Sequence, residues 1–341
     1  MKIIMPEFVV PLWEERTCAL MQSRELLGAC DIVLIEDLGR GPGDVAEAVA
    51  GAEVVMVPWT ITPELLRQVL GVSTLRWVHT MTAGVEHVVR PLSERPLSER
   101  SLSERPLLGE KIIITNAAGI FDVPIAEMVL AWILAIAKRL PDFLAQQRAH
   151  QWRLLRLREA SDLTVGIVGL GSIGSEIARR CHVVGMRVLA TRRHIDRGSP
   201  FVDQLFTPDC LFELLVASDF VVIAVPLTPE THDLIDARAL RQMRRDAWLI
   251  NIARGAIVDQ AALVDALAQG WIGGAALDVF EEEPLPATSP LWDLPNVLIT
   301  PHNSWSTPHF KPREAELFLD NLERFLRGEA LRNVVDLSRG Y

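Results

Sequence analysis

Four cysteines in 341 residues, Cys18, Cys30, Cys181 and Cys210, stand too far apart for a CxxC metal site. They also make a poor disulfide framework for a chain this long, and reduced, structural thiols are expected. Positive charge is short: 34 lysines and arginines face 44 aspartates and glutamates, giving a net charge of -10 and a pI near 5.4. Such a surface suits neither a phosphate backbone nor an anionic membrane, so no nucleic-acid or membrane partner is expected. Long apolar runs are missing as well. The longest, residues 128–137, has ten residues, against the roughly 20 that a bilayer crossing needs. The start, Met1-Lys2-Ile3-Ile4-Met5-Pro6-Glu7, breaks its apolar run with proline and acid, unlike an export signal. A cytoplasmic location is the expectation.

Hydrophobic residues make up 49% and charged residues 23%, which excludes disordered and collagen-like classes. The length suits two domains. Short apolar runs alternate with helical patterns, as buried parallel strands do. Early strands are expected at 2–5, 32–35, 54–57, 77–80 and 112–115. Amphipathic stretches at 14–27 and 63–70 fall between them, the second with Thr62 as N-cap and Pro63 at the first helical position. A long helix over 123–140, ended by Pro141, should follow. A second series of strands is expected at 165–168, 187–190, 220–225, 248–251, 275–278 and 297–300. Helices at 172–184 and 260–268 lie among them, and one more covers 312–326. Six strands with intervening helices predict a doubly wound sheet, and the α/β class overall.

One stretch stands apart. Residues 91–105 repeat a pentapeptide three times, each copy ending Leu-Ser-Glu-Arg. Three copies of five residues build no solenoid. A lengthened surface loop or helix end, cheap in closure entropy, is the expectation.

The segment Val165-Gly-Ile-Val-Gly169-Leu-Gly171-Ser172-Ile173-Gly174 carries the GxGxxG pattern. It leaves a strand and opens a helix, the context that supports dinucleotide binding. Gly169 permits the tight turn, Gly171 lets a pyrophosphate approach the backbone, and Gly174 lets helix pack on strand. The amides of Ser172 and Ile173 then point at phosphate. An NAD site usually carries Asp or Glu about 20 residues on, at the tip of the next strand. Here Thr191-Arg192-Arg193-His194 stands there. Two guanidiniums suit a 2′-phosphate, so NADP(H) is favoured over NAD(H).

Three further motifs follow three strands: Asn251-Ile252-Ala253-Arg254-Gly255, Asp278-Val-Phe-Glu-Glu-Glu283-Pro284 and Thr300-Pro301-His302. In a parallel sheet those strand ends share one edge, where ligands bind. An arginine, a carboxylate and a histidine at that edge suit hydride chemistry on a carbonyl. Histidine donates the proton that must follow the hydride. A paired carboxylate fixes the imidazole tautomer and favours its acid form. The arginine binds a substrate carboxylate and polarises the carbonyl.

With these motifs and Pro226-Leu-Thr-Pro-Glu-Thr231, the chain resembles the D-isomer-specific 2-hydroxyacid dehydrogenases over essentially its whole length. The resemblance implies that Arg254 binds substrate, Glu283 pairs with the histidine and His302 is the acid/base. It implies that Pro226, Thr231, Ile252, Ala253 and Asp278 line the cofactor, with Asp278 near the nicotinamide carboxamide. Thr82-Ala83-Gly84-Val85-Glu86 looks like the loop whose amides, at Ala83 and Gly84, hold the substrate carboxylate. The implied architecture is a Rossmann cofactor domain, residues 118–308, inserted into a flavodoxin-like substrate domain formed by 1–117 and 309–341. The cleft between such domains closes on substrate. A homodimer through the cofactor domain, to which 120–140 contributes, is also implied. No metal site is expected.

The chain departs from the family pattern after the histidine, where Asn303-Ser304-Trp305 replaces the usual small residues, and at Ile125, a position often Thr or Val. Glu283 argues against formate dehydrogenase activity. An ending at Tyr341 and a 80–86 loop without lysine or arginine disfavour 3-phosphoglycerate. Small 2-oxo acids such as glyoxylate and hydroxypyruvate are the expected substrates. The competing class is a dinucleotide-sensing corepressor scaffold of the same fold, which binds cofactor without turnover.

Overall fold

The structure, a computed structural model, describes residues 1–12, 31–34, 49–58, 61–85, 88, 112–195 and 198–336. The helix expected at 14–27, the repeat at 91–105, Cys18, Cys30 and Glu86 lie outside the described residues. The chain divides into two compact units, one joining Met1–Ile120 to Thr307–Tyr341 and the other formed by Phe121–Ser306.

In the first unit, β1 (Lys2–Met5), β2 (Asp31–Leu34), β3 (Val54–Val57), β4 (Trp77–Thr80) and β5 (Ile113–Asn116) form a parallel sheet. Its order, β2-β1-β3-β4-β5, is the flavodoxin-like doubly wound arrangement. Helix α1 (Pro63–Leu70) starts as the sequence predicts: the Thr62 side chain accepts from the Leu65 amide. Pro63 fills a first-turn position whose N–H has no intrahelical partner anyway. The α1 side chains of Leu65, Leu66, Val69 and Leu70 are buried on one face, each contributing about 1.5–3 kcal/mol.

The C-terminal helix α8 (Phe310–Arg327) returns to this sheet. His79 Nε2 on β4 lies 2.8 Å from Glu314 Oε1, both side chains fully buried. His79 Nδ1 is 2.7 Å from Thr115 Oγ1, which also accepts from Trp77 Nε1 at 2.8 Å. Phe318 stacks on Trp77 with ring centroids 5.1 Å apart. This polar pair, enclosed by aromatic packing, explains why the last segment of the chain belongs with the first.

The second unit holds α2 (Asp122–Ala137), α3 (Leu140–Arg148), β6 (Thr164–Val168), α4 (Ser172–Val183), β7 (Arg187–Thr191), β8 (Gln204–Phe206) and α5 (Leu211–Ala217). It continues through β9 (Phe220–Ile223), α6 (Ala237–Gln242), β10 (Trp248–Asn251), α7 (Gln260–Ala268), β11 (Gly274–Leu277) and β12 (Val297–Ile299). The sheet order is β12-β11-β10-β9-β6-β7-β8, parallel throughout. Chain order reverses between β6 and β9, the switch point where such sheets bind ligands.

Two expectations need correction. The helix expected over 123–140 ends at Ala137, because Arg139 takes a left-handed conformation, φ 53. Pro141 falls in the first turn of α3 instead of stopping α2, a place where its missing N–H is harmless. The sheet also has seven strands, not six. The added strand, β8, is a three-residue edge strand without a fully buried position, so no apolar run announces it.

Of the described cysteines, Cys181 and Cys210 are free. Burial pushes the Cys181 thiol up to about 12, which leaves it protonated and inert.

Candidate active site

Strand register sets the geometry of the second unit's carboxyl edge. Thr191, Val168, Ile223, Asn251, Leu277 and Ile299, the last residues of β7, β6, β9, β10, β11 and β12, align as cross-strand partners. The residues that come next therefore emerge along one line: Arg192, Gly169, Ala224, Ile252, Asp278 and Thr300. The sequence-predicted sites of this unit line up there because parallel pairing in register leaves them no other edge.

At β6 the chain turns through Gly169, φ 103, whose amide donates to Thr191 Oγ1 at 3.1 Å. A Cβ at Gly174 would come within 2.1 Å of the Gly169 carbonyl oxygen, whereas one at Gly171 would meet nothing within 4 Å. No side chain caps the start of α4 at Gly171, so the helix presents its first-turn amides beside open space. That is a cradle for an anion: unsatisfied N–H groups at the positive end of a helix dipole. The residues fit a dinucleotide pyrophosphate, with Ser172 and Ile173 supplying amides.

Arg192 extends β7, its amide donating to the Phe206 carbonyl at 2.9 Å. Arg193 is exposed beside it. Arg193 also helps hold the Glu230 carboxyl below the usual range, after the larger effects of the Thr228 hydroxyl and Glu230's own amide. In the loop after β9, the Thr231 hydroxyl donates to the Pro226 carbonyl at 2.6 Å and accepts from the Thr228 amide at 2.8 Å. It staples the loop shut.

Beyond β10, buried Asn251 organises the turn that carries Arg254. Its Nδ2 donates to the Arg254 carbonyl at 2.9 Å, and its Oδ1 accepts from the Ala253 amide at 3.1 Å. Ile252 is buried. A Cβ at Gly255 would collide with the Phe280 backbone at 1.9 Å, so only glycine lets this turn pack against the one that carries Glu283. Arg254 Nη1 donates to the Ala253 carbonyl at 2.7 Å.

Glu283 and His302 are joined. Glu283 Oε2 lies 2.7 Å from His302 Nδ1, and Oε1 accepts from the Phe280 amide at 2.9 Å. Burial alone would push the Glu283 carboxyl up. The His302 hydrogen bond, the Phe280 amide and the charges of His302 and Arg254 outweigh it and hold the carboxyl below its ordinary value. His302 itself has φ 50, a left-handed conformation that costs a non-glycine residue about 1–2 kcal/mol.

Asp278 is 1% exposed. Its carboxylate accepts from Thr300, Asn303 and Ser304. Ala83 and Gly84 belong to the first unit, on the loop after β4. There Asn116 Nδ2 donates to the Ala83 carbonyl at 2.9 Å and the Thr82 hydroxyl to the Gly84 carbonyl at 2.7 Å. Among the described residues no group of His, Cys, Asp and Glu could hold a metal ion, and no helix is long and apolar enough to cross a membrane.

Sequence reasoning passed over Asn251, Asp122 and the bonds of Ser304. Asp122 begins α2, and burial pushes its carboxyl up against a hydrogen bond from Ser172, at the head of α4. Nothing in the sequence marks that contact, because the two residues meet only once α2 packs on α4.

Residues 130–304 match the family described as D-isomer specific 2-hydroxyacid dehydrogenase, NAD binding domain. A glyoxylate reductase of Korarchaeum cryptofilum is 39% identical over 236 residues, 66% of this chain and 69% of its own length. A D-3-phosphoglycerate dehydrogenase of Methanocaldococcus jannaschii is 34% identical over 228 residues, 66% of this chain but 43% of its own. Among solved structures, an NADPH-dependent glyoxylate/hydroxypyruvate reductase of Sinorhizobium meliloti, in complex with NADP and sulfate, superposes with a TM-score of 0.79. It is 27% identical, and the match covers 100% of this chain and 99% of that one.

Proposed function

The chain belongs to the D-isomer specific 2-hydroxyacid dehydrogenases, NAD(P)-dependent oxidoreductases, and on that premise we propose that it reduces a small 2-oxo acid, glyoxylate or hydroxypyruvate, with NADPH. The observation that carries the reading is the His302–Glu283 pair at the sheet edge that also bears the glycine loop.

The hydride for the reaction comes from the reduced nicotinamide of the bound cofactor. Its pyrophosphate is assigned to the Gly169–Gly174 turn and the amides of Ser172 and Ile173, and its ribose and nicotinamide surroundings to Pro226, Thr231, Ile252 and Ala253. His302 gives Nδ1 to Glu283, which leaves Nε2 to protonate the carbonyl oxygen as hydride arrives. Glu283 fixes the ring's tautomer and orientation and balances its positive charge. Arg254 offers a guanidinium to the substrate carboxylate, a pairing that is charge-assisted and geometrically specific. Ala83 and Gly84 are assigned to the same carboxylate on the resemblance alone.

Arg192 and Arg193 support NADPH over NADH, since no carboxylate stands at the tip of β7 to take a ribose 2′-hydroxyl. The relationship to a phosphoglycerate dehydrogenase supports a second substrate. The stretch from Thr80 to Val85 carries no lysine or arginine for a phosphate, which favours the unphosphorylated acids.

A homodimer is part of the reading. The resemblance implies that 120–140 contributes, and α2, which buries Ile125, Val129, Trp132 and Ile133, leaves Met128, Leu130, Leu134 and Ile136 only partly covered. Further apolar surface stands open beyond it: Leu144 is 53% exposed, Trp152 96% and Leu154 94%. We assign the self-association surface to residues 120–157.

The test is a panel of initial rates with glyoxylate, hydroxypyruvate, pyruvate, phenylpyruvate and the 2-oxo acid of 3-phosphoglycerate, each with NADPH and NADH. Highest kcat/KM for glyoxylate or hydroxypyruvate supports the assignment, and highest kcat/KM for the phosphorylated acid overturns it.

A further inference from the structure

The chemistry assigned to His302 needs the ring held in one place, and much of what holds it lies behind the histidine. The left-handed conformation at φ 50 persists only where the surroundings over-determine it. Its amide donates to the Asp278 carbonyl at 2.8 Å and the Thr300 carbonyl at 3.0 Å. Its carbonyl accepts from Trp305 Nε1 at 2.9 Å. Beneath the turn sits the Asp278 side chain. Oδ1 accepts from Thr300 Oγ1 at 2.5 Å and the Asn303 amide at 2.9 Å; Oδ2 accepts from Ser304 Oγ at 2.5 Å and the Ser304 amide at 3.1 Å. Every partner is a donor from the segment 300–304 that brackets His302. A carboxylate offers about four lone-pair sites, and these four donors take them up.

Ser304 is the unusual member. It is 4% exposed and supplies two of the four donors, where an alanine or glycine would supply one. Its hydroxyl therefore changes how firmly the turn is held without touching the ring.

We propose that Asp278 and Ser304 are positioning residues: the buried carboxylate and the Ser304 hydroxyl clamp the turn that fixes His302 in its left-handed conformation and aims its ring at Glu283. The proposal rests on His302 being the acid/base of the assigned reaction. It differs from the role that the resemblance implies for Asp278, as a ligand of the cofactor carboxamide, and the two roles separate experimentally.

Ser304→Ala and Ser304→Thr are made in the full chain. Histidine ring 15N–1H spectra are recorded without cofactor, with the His302 signals identified by their loss in His302→Gln. Rates and NADPH binding are measured in parallel. The expected result for Ser304→Ala is a weakened or shifted Nδ1–H signal and a kcat lower by about tenfold, with the Kd for NADPH changed by less than about twofold. Ser304→Thr, which keeps the hydroxyl, restores both ring signal and kcat. An unchanged ring signal with unchanged kcat overturns the proposal, and so does a defect confined to NADPH binding, which would return Asp278 to the cofactor site. Should the unsubstituted protein turn over none of the 2-oxo acids, the assigned reaction fails while the ring spectra still decide the positioning role.

Discussion

Glu283 and His302, 19 residues apart in sequence, meet with Oε2 of the carboxylate 2.7 Å from Nδ1 of the ring. The contact exists because β11 and β12 are neighbours in register and each strand ends in a turn directed along the same edge. One turn supplies the carboxylate and the other the imidazole.

Glu283 should titrate below the ordinary glutamate value of about 4.3. Its depressed carboxyl stays ionised at pH values above that range, and the stability this contributes is lost as pH falls through the lowered folded-state value. A 13C carboxyl titration of Glu283 in the folded protein checks the direction. Replacing it, Glu283→Gln, should lower kcat by about 100-fold while leaving NADPH binding intact; a loss confined to KM would contradict its role beside His302.

Cofactor choice should reside in Arg192 and Arg193. Removing both, Arg192→Ser with Arg193→Ser, should lower kcat/KM for NADPH by about 10- to 100-fold, the value of one or two charge-assisted hydrogen bonds. The kcat/KM for NADH should hardly change. A parent protein whose KM for NADH lies well below that for NADPH would sink the NADPH assignment outright.

Much of this organisation is legible in the sequence, and the reasons are physical. Strands such as Val54–Val57 and Phe220–Ile223, buried at every residue, announce themselves as unbroken apolar runs. The glycine turn is legible because Gly169 at φ 103 and the closely approached Gly174 admit few other residues. The three strand-end motifs follow from parallel pairing alone. What stays hidden depends on side chains that meet only in three dimensions. The left-handed Arg139 that separates α2 from α3 has no composition signal, and Pro141 reads equally as a stop or a start. Edge strand β8 is too short and too exposed to show a pattern. Ser304 and Asp278 are 26 residues apart, and no spacing rule connects them.

The His79–Glu314 pair should govern the attachment of the C-terminal helix. Breaking it on one side, Glu314→Gln, leaves His79 buried without its carboxylate and should lower unfolding free energy by about 3–5 kcal/mol. Denaturant unfolding of the two proteins checks this. An unchanged midpoint would mean that apolar packing such as Trp77–Phe318, and not this pair, holds α8.

Self-association should depend on Trp152 and Leu154. Charged replacements at both, Trp152→Glu with Leu154→Glu, leave no core position disturbed, since each side chain is over 90% exposed. Light scattering should report a dimer for the parent and a monomer for the variant, with unchanged thermal unfolding of the monomer core. A parent that is monomeric at micromolar concentration would contradict the assigned surface.

The proposed role of His302, proton delivery in an NADPH-dependent 2-oxo acid reduction, is read from the rate of NADPH oxidation with glyoxylate and hydroxypyruvate for the protein and for His302→Gln, alongside NADPH binding by fluorescence. Turnover in the parent is expected, with a loss of at least about 100-fold in kcat for the variant and equal NADPH affinity in both. Equal turnover in both proteins, or binding of NADPH by a parent that reduces neither acid, would contradict that role.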